Sequence, residues 1–405
     1  MPQLDIVCAT WNLESQAPSL KPLADFKQAL LKNGGLPDFA VIGLQEAKPS
    51  EDRFVAQSCL KSFAFEWEKQ PTMQAVQSGG QVVQGPQIHG VTDPSQLKGT
   101  TDLAQLGCYQ HIGIMQRSNS PWHVLQIKQE TNPKKGITGV ASEKGAVALV
   151  VDIEHNIDKE CIRLVFVSTH LDAAKGQADE LTEYFTWLNR LAREGSIQRK
   201  GAPFEAKNLA NIRFIMGDLN FRLFPNPAAP QNEGLPDRND TSDTWADALL
   251  NPKMRDLLFG CYDGLENAAD PGNPKKKLVP EKWCFPRPNT NDGAGPNVCF
   301  PTYKRYWEGA KQATGYVNTI RKGAPGDQAA RDAIKGLYGL TDKLDFDNNR
   351  NAWNIGWLDR IGYITDAGHN ILQFKNPVAF CWDCFDMVQS DHTPVFLRLK
   401  VDVTY

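Results

Sequence analysis

The chain has 405 residues, 41% hydrophobic and 22% charged, an ordinary globular composition. Its formal net charge of -3 supplies no global basic field, which argues against a nucleic-acid partner and leaves any anionic substrate to a local basic site. Nine cysteines, an odd number at irregular spacing, argue against a disulfide framework and for a reducing compartment.

No apolar run reaches the roughly 18 residues a membrane helix needs. Met1-Pro-Gln-Leu-Asp-Ile6 lacks the basic and apolar regions of a signal peptide, and Asp402-Val-Thr-Tyr405 offers no prenylation cysteine. The expected location is cytoplasmic.

In chain order, Leu4 to Thr10 reads as a strand with Trp11-Asn12 at its end. Leu23, Phe26, Ala29 and Leu30 recur at helical spacing, which predicts an amphipathic helix ending near Asn33-Gly34-Gly35. Phe39 to Gln45 reads as a buried strand that ejects Glu46 at its end. Strand, helix and strand in this order suggest α/β layering. Residues 70–101, rich in Gly, Gln, Ser and Pro, read as a surface excursion. Cys108 to Gln116 is an expected strand, and Asn132 to Gly139 an expected basic turn whose Lys134 and Lys135 are either solvated or phosphate-binding.

Ala146 to Ile153 and Ile162 to Ser168 are further strands, the second ending in Thr169-His170-Leu171. Leu181, Tyr184, Phe185, Leu188 and Leu191 mark an amphipathic helix. Phe214-Ile-Met216 is a short buried run broken by Gly217, after which Asp218 and Asn220 share a face of extended backbone. Two more polar inserts follow, 225–243 and 266–296, the latter carrying Lys275-Lys-Lys277, which reads as a solvated run. Gly326 to Leu340 is an expected helix, Gly356 to Ile364 a strand interrupted by two charges, and Val395 to Val401 the last strand. Cys381-Trp-Asp-Cys384 has no second pair at zinc spacing and lies in an apolar run, so it reads as packing. Strands and helices continue to both ends, so the expectation is one domain, residues 1–405, with surface inserts.

Asn12, Glu46, His170, Asp218, Asn220, Asp359, Asp391 and His392 all sit at or beside strand ends, and together they can build one pocket. Glu46, Asn12 and Asp391 offer hard oxygen donors suited to Mg²⁺. Asp218 and Asn220 pair a water-activating carboxylate with a hydrogen-bonding amide. His170 and His392 can bind phosphate oxygens or move protons, with Asp359 orienting His392. The other histidines, His89, His111, His123, His155 and His369, carry no motif and read as structural or exposed.

In their order these motifs make the chain similar to the endonuclease/exonuclease/phosphatase superfamily, and within it to the inositol polyphosphate 5-phosphatases. Trp11-Asn12, Gly43-Leu-Gln-Glu46, Ser168-Thr-His-Leu171, Gly217-Asp-Leu-Asn220 and Ser390-Asp-His392 carry the superfamily likeness. Gly217-Asp-Leu-Asn-Phe-Arg222 resembles the 5-phosphatase GDxNYR segment with Phe221 for Tyr, Phe300-Pro-Thr-Tyr-Lys304 its PPTYK segment, and Trp357-Leu-Asp-Arg-Ile361 its WCDRI segment with Leu358 for Cys. Gly139 to Val147 resembles its NKGxV stretch with Glu143 in the Asn place.

The resemblance implies a DNase I-like, four-layer α/β-sandwich of two packed, mostly antiparallel sheets flanked by helices. It implies Mg²⁺-dependent removal of the 5-phosphate from inositol polyphosphates or phosphoinositides, with adjacent 4- and 5-phosphates preferred. The implied catalytic residues are His170, Asp218, Asn220, Asp359 and His392, the metal residues Asn12, Glu46 and Asp391, and the ring-phosphate residues Lys144, Arg222, Tyr303 and Lys304. His392 is left either as a phosphate ligand or as a proton-transfer group. Trp357 reads as core and Arg360 as a loop brace. A lipid-embedded substrate would entail peripheral membrane contact; a soluble one would not. The competing expectations are a nuclease or abasic-site endonuclease and a sphingomyelinase-like phosphodiesterase of the same superfamily, and a catalytically dead binding module, which would be expected to lose Glu46, Asp218 or His392.

Overall fold

The computed structural model describes residues 2–14, 28–29, 37–46, 73–75, 110–117, 120–135, 141–172, 177–197, 204–223, 234–237, 240–270, 273–290, 297–303, 305, 310–340, 346–347, 352–353, 355–367, 372–385, 387 and 390–404. The principal strands and helices are, in order, β1 (Gln3–Asn12), β2 (Phe39–Gln45), β3 (Met73–Ala75), β4 (His111–Arg117), β5 (Trp122–Lys135), β6 (Ala141–His155), β7 (Cys161–His170), α1 (Gln177–Arg193) and β8 (Ala210–Asp218). They continue with α2 (Ser242–Leu250), α3 (Pro252–Tyr262), α4 (Ala310–Lys322), α5 (Gln328–Tyr338), β9 (Asp359–Asp366), β10 (Gln373–Asp383) and β11 (Val395–Thr404).

The strands form two large sheets, a 6-stranded one in the order β10-β11-β1-β2-β4-β3 and a 5-stranded one in the order β9-β8-β7-β6-β5. Pairing is antiparallel except for β1 with β2 and β7 with β8. The sheets pack face to face across a core that includes Ile6, Val41, Leu149, Phe166, Phe214 and Leu397. Phe166 stacks on Phe214 from the neighbouring strand, centroids 5.0 Å apart. The central strands β7 and β8 read as unbroken apolar runs because both faces are covered. On the outer face of the 5-stranded sheet, α1 lays down Leu181, Tyr184, Phe185 and Leu188. Its acidic first turn and basic last turn complement the helix dipole. This is the sandwich expected from the sequence.

A second apolar cluster joins α2, α3, α4 and α5 to the segments that carry Trp357 and Phe385. Asn251 caps α3, its side-chain oxygen accepting from the Lys253 and Met254 amides at 3.0 and 3.4 Å. The Tyr338 hydroxyl donates to the Pro301 carbonyl at 2.9 Å, which ties the cluster to the segment leading to Tyr303. Among the described residues no helix is long and apolar enough to cross a membrane.

Two expectations need correction. The basic turn expected from Asn132 to Gly139 begins instead as strand: Asn132 pairs with Ala146, Pro133 with Gly145 and Lys135 with Ala141, at the end of a long hairpin with a register shift at the proline. Residues 136–140 lie outside the described ones. The strand expected from Gly356 starts at Asp359, because Gly356 exchanges both backbone hydrogen bonds with Tyr303 at 3.1 and 2.8 Å. The insert near 225–243 ends in α2, which starts at Ser242 behind a Thr241 cap. In the insert near 266–296, Asn273–Lys277 pairs with Ala269–Asp270 and Asn289–Thr290 with Asn297–Val298. Of the insert near 70–101 only β3 is described, and of the helix expected after Leu23 only residues 28–29.

Candidate active site

Strand ends of the two sheets meet at one edge of the sandwich. In the 5-stranded sheet, Asp218 stands in register between His170 on one side and Asp359 on the other. In the 6-stranded sheet, Asn12 stands opposite Gln45, one residue before Glu46. The sheets approach closely here: a Cβ on Gly43 would lie 2.8 Å from the Ser168 hydroxyl. Thr10 donates to the Gln45 side-chain carbonyl at 3.1 Å and the Gln45 amide donates to the Ser168 hydroxyl at 2.9 Å, a buried polar link between the sheets. Sequence reasoning missed this link; its only signal is polar residues inside otherwise apolar strands.

Local geometry explains the central turn. Gly217 has φ +146, and a Cβ there would lie 1.8 Å from the Thr169 carbonyl oxygen, so only glycine fits. The backbone amide of Leu171 then donates to Asp218 O at 3.0 Å, and that of Leu219 to Leu358 O at 2.8 Å. Asp218 Oδ1 accepts from the Asn220 amide at 2.9 Å, and Asn220 turns the chain at φ +53. Glu46 also adopts a left-handed backbone, φ +51. Such strain in a non-glycine residue persists only where the surroundings impose it.

Asp218 is the hub. Its Oδ2 accepts from Asn12 Nδ2 at 3.2 Å and faces His170 Nε2 at 3.2 Å and His392 Nε2 at 3.6 Å. Burial would raise its pKa, but the facing charges of His170, His392 and Lys144 outweigh burial and hold the carboxyl well below the usual range. His392 Nδ1 meets Asp359 Oδ2 at 2.8 Å, and its Nε2 lies 3.7 Å from Asp391 Oδ1. Burial opposes its protonation, yet Asp359, Asp391 and Asp218 push its pKa up to about 10, which makes it a cation at neutral pH.

Lys144 lies against the His170 ring, with its ammonium 3.7 Å from Glu46 Oε1. His170 Nδ1 is also 3.7 Å from that oxygen. Asn220 commits a side-chain N–H to Leu171 O at 2.7 Å, so part of this amide braces the turn. The Tyr303 ring lies 4.5 Å from the His392 ring, and the Arg222 guanidinium sits 5.2 Å from the Tyr303 centroid. Burial pushes the Tyr303 phenol up to about 12, so it is a hydrogen-bond donor at neutral pH. The structure thus brings together Asn12, Glu46, Lys144, His170, Asp218, Asn220, Arg222, Tyr303, Asp359, Asp391 and His392. Lys304 lies outside the described residues.

Trp357 is fully buried and donates to Cys299 O at 2.9 Å, as expected of a core residue. Arg360 points away from the hub and pairs with Asp263 at 3.0 Å and Glu266 at 3.1 Å. His155 packs on Trp122 and His123 meets Asn156 on the surface, neither near the hub. Cys381 is buried in the core between the sheets.

Among the described residues no three His, Cys, Asp or Glu side chains are grouped to cage a metal ion by themselves. Glu46 lies 3.7 Å from His170, which faces Asp218, and Asn12 bonds Asp218, so these oxygen donors suit a hard cation, which takes few protein oxygens and completes its shell with water and phosphate. The donor set therefore fits a hard divalent cation.

At the joint edge of the two sheets of this α/β-sandwich, a buried carboxylate is ringed by imidazoles, an amide and an ammonium. The chain belongs to the endonuclease/exonuclease/phosphatase family 2, whose model matches residues 9–234, more than half its length. No curated protein matches the sequence. Among solved structures, the inositol polyphosphate 5-phosphatase domain of SPsynaptojanin, solved with inositol (1,4)-bisphosphate and calcium, is similar at 17% identity, with 100% of this chain and 86% of that chain covered and a TM-score of 0.49. A Cimex nitrophorin in its ferrous NO complex is similar at 16% identity, with 98% of both chains covered and a TM-score of 0.48. D. rerio TDP2 complexed with a single-strand DNA product is similar at 13% identity, with 98% of both chains covered and a TM-score of 0.37.

Proposed function

We propose that this chain is an Mg²⁺-dependent phosphatase that removes the 5-phosphate from inositol polyphosphates or phosphoinositides. The observation that carries the reading is the arrangement around Asp218: an ionised carboxylate flanked by His170 and by the cationic His392, with Tyr303 and Arg222 alongside. The choice of an inositol ring rests on the motif resemblance around Arg222, Tyr303-Lys304 and Trp357 to Ile361.

Glu46 and Asn12, with Asp391 nearby, would hold the cation, which when bound neutralises charge developing on the phosphoryl oxygens. Asp218, always ionised, orients the attacking water. Its weak basicity is tolerable because phosphoryl transfer through a loose transition state demands little proton removal at the start. His392, kept protonated, acts as a phosphate ligand rather than a base, and His170 and Asn220 hold the remaining oxygens. Lys144, Arg222, Tyr303 and Lys304 would grip the neighbouring phosphate.

Charge-assisted hydrogen bonds contribute about 1.5–3 kcal/mol each, so Lys304→Ala should cost roughly tenfold to a hundredfold on a substrate with adjacent 4- and 5-phosphates. It should leave slow hydrolysis of simpler esters intact. The check is kcat/KM for both substrate types in both proteins. Equal losses would make Lys304 structural, and faster cleavage of abasic DNA than of inositol phosphates would replace this reading with a nuclease.

A further inference from the structure

Arg305 follows the phosphate-gripping pair Tyr303-Lys304, yet it is 1% exposed and turned inward. Its Nη1 donates to Met387 O at 3.0 Å and to the Thr393 hydroxyl at 2.7 Å, and its Nη2 to Phe385 O at 2.8 Å. The guanidinium also sits 4.9 Å from the Phe385 ring centroid. One side chain therefore fastens both ends of the 385–393 segment, the segment that carries Asp391 and His392. The backbone repeats the connection: the Arg305 amide donates to Asp391 O and the Thr393 amide to Thr302 O, both at 2.9 Å. Thr302 Oγ1 in turn accepts from the amide of Asp359, the partner of His392, at 3.2 Å.

We propose that Arg305 is a positioning residue that holds His392 in register with Asp218 and Asp359. Only a planar fork reaches three acceptors on separate residues at once; a lysine ammonium is a point donor on a flexible stem and cannot reproduce that fork. Without the staple, the segment keeps its backbone bonds, the Ser390 hydroxyl's bond to Asn12 O at 2.7 Å and the Trp11 Nε1 bond to His392 O at 3.3 Å, and His392 is held less tightly against Asp218. A displacement of about 1 Å at such a group costs on the order of a hundredfold in rate. The catalytic consequence rests on the phosphatase reading given above.

The test uses the full chain with Mg²⁺ and an inositol trisphosphate bearing adjacent 4- and 5-phosphates. Arg305→Lys should lower kcat by roughly tenfold to a hundredfold with KM nearly unchanged. Hydrogen exchange should rise in the peptide spanning 385–393 while β11 keeps its protection. Thr393→Val, which removes one acceptor only, should move both readouts the same way by less. On a His392→Ala background, Arg305→Lys should cost clearly less than it does in the wild type, because His392 is gone and only Asp391 is left to position. Losses that multiply on that background, unaltered exchange in the peptide, or a general loss of protection would overturn the assignment. An active wild type with a kcat-neutral Arg305→Lys would contradict the role of Arg305 alone. A wild type inactive on every phosphate ester would contradict the phosphatase reading and the catalytic role of Arg305 with it.

Discussion

Asp218 concentrates the chemistry because its surroundings keep it charged. It is buried, and it stays ionised through His170, His392, Lys144 and Asn12. Asp218→Asn keeps the shape and removes the charge, so kcat should fall by ~10²-fold or more in a variant that circular dichroism shows to be folded. Near-normal turnover in the folded variant would remove Asp218 from the mechanism. Glu46 is the carboxylate proposed to hold the cation. Glu46→Gln should weaken Mg²⁺ binding, seen directly by calorimetry in the absence of substrate. An unchanged affinity would show that the cation binds elsewhere. The raised pKa of His392 rests on three carboxylates around one imidazole, an arrangement visible only once strand ends from both sheets are in place.

The elements that present these residues were legible in the sequence to different degrees. β1, β2, β7 and β8 could be read from their apolar runs because central strands are covered on both faces. Their terminal Asn12, Glu46, His170 and Asp218 could be read as strand-end residues for the same reason. β5 was hidden, since its lysines and Pro133 mimic a turn and, among its described side chains, most are partly covered or exposed. β10 was hidden too: it is a sheet edge whose Val378 and Phe380 are about half exposed, so its pattern does not alternate cleanly. The three-acceptor grip of Arg305 left no periodic trace at all.

Arg360 shows how a motif residue can serve an element instead of the chemistry. Asp263 is fully buried, caps the short helix 264–267 through the Glu266 amide at 3.0 Å, and relies on Arg360 for its charge partner. Arg360→Leu would strand that carboxylate and should destabilise the fold by about 3–5 kcal/mol, measured by denaturant titration. A loss below about 1 kcal/mol would show that Asp263 takes up a proton instead. At α3, Asn251→Ala removes a cap and should cost about 1 kcal/mol.

At the scale of the molecule, two sheets built from distant parts of the chain enclose a core and meet at one working edge. The buried link from Thr10 through Gln45 to Ser168 joins the sheets directly behind that edge. The helical cluster around Trp245 and Trp357 supports the Tyr303 side of the site through the Tyr338–Pro301 bond. The geometry of this edge therefore depends on both sheets and on that cluster remaining assembled. We propose that this edge is a cation-dependent inositol-phosphate 5-phosphatase site. The most direct measurement is phosphate release from a panel of inositol phosphates and phosphoinositides, run with Mg²⁺, with excess chelator, and with Mg²⁺ restored. The expected result is release of the 5-phosphate, fastest when the 4-phosphate is present, abolished by chelator and recovered with Mg²⁺. Full activity in excess chelator, or no release from any inositol substrate by the folded protein, would contradict it.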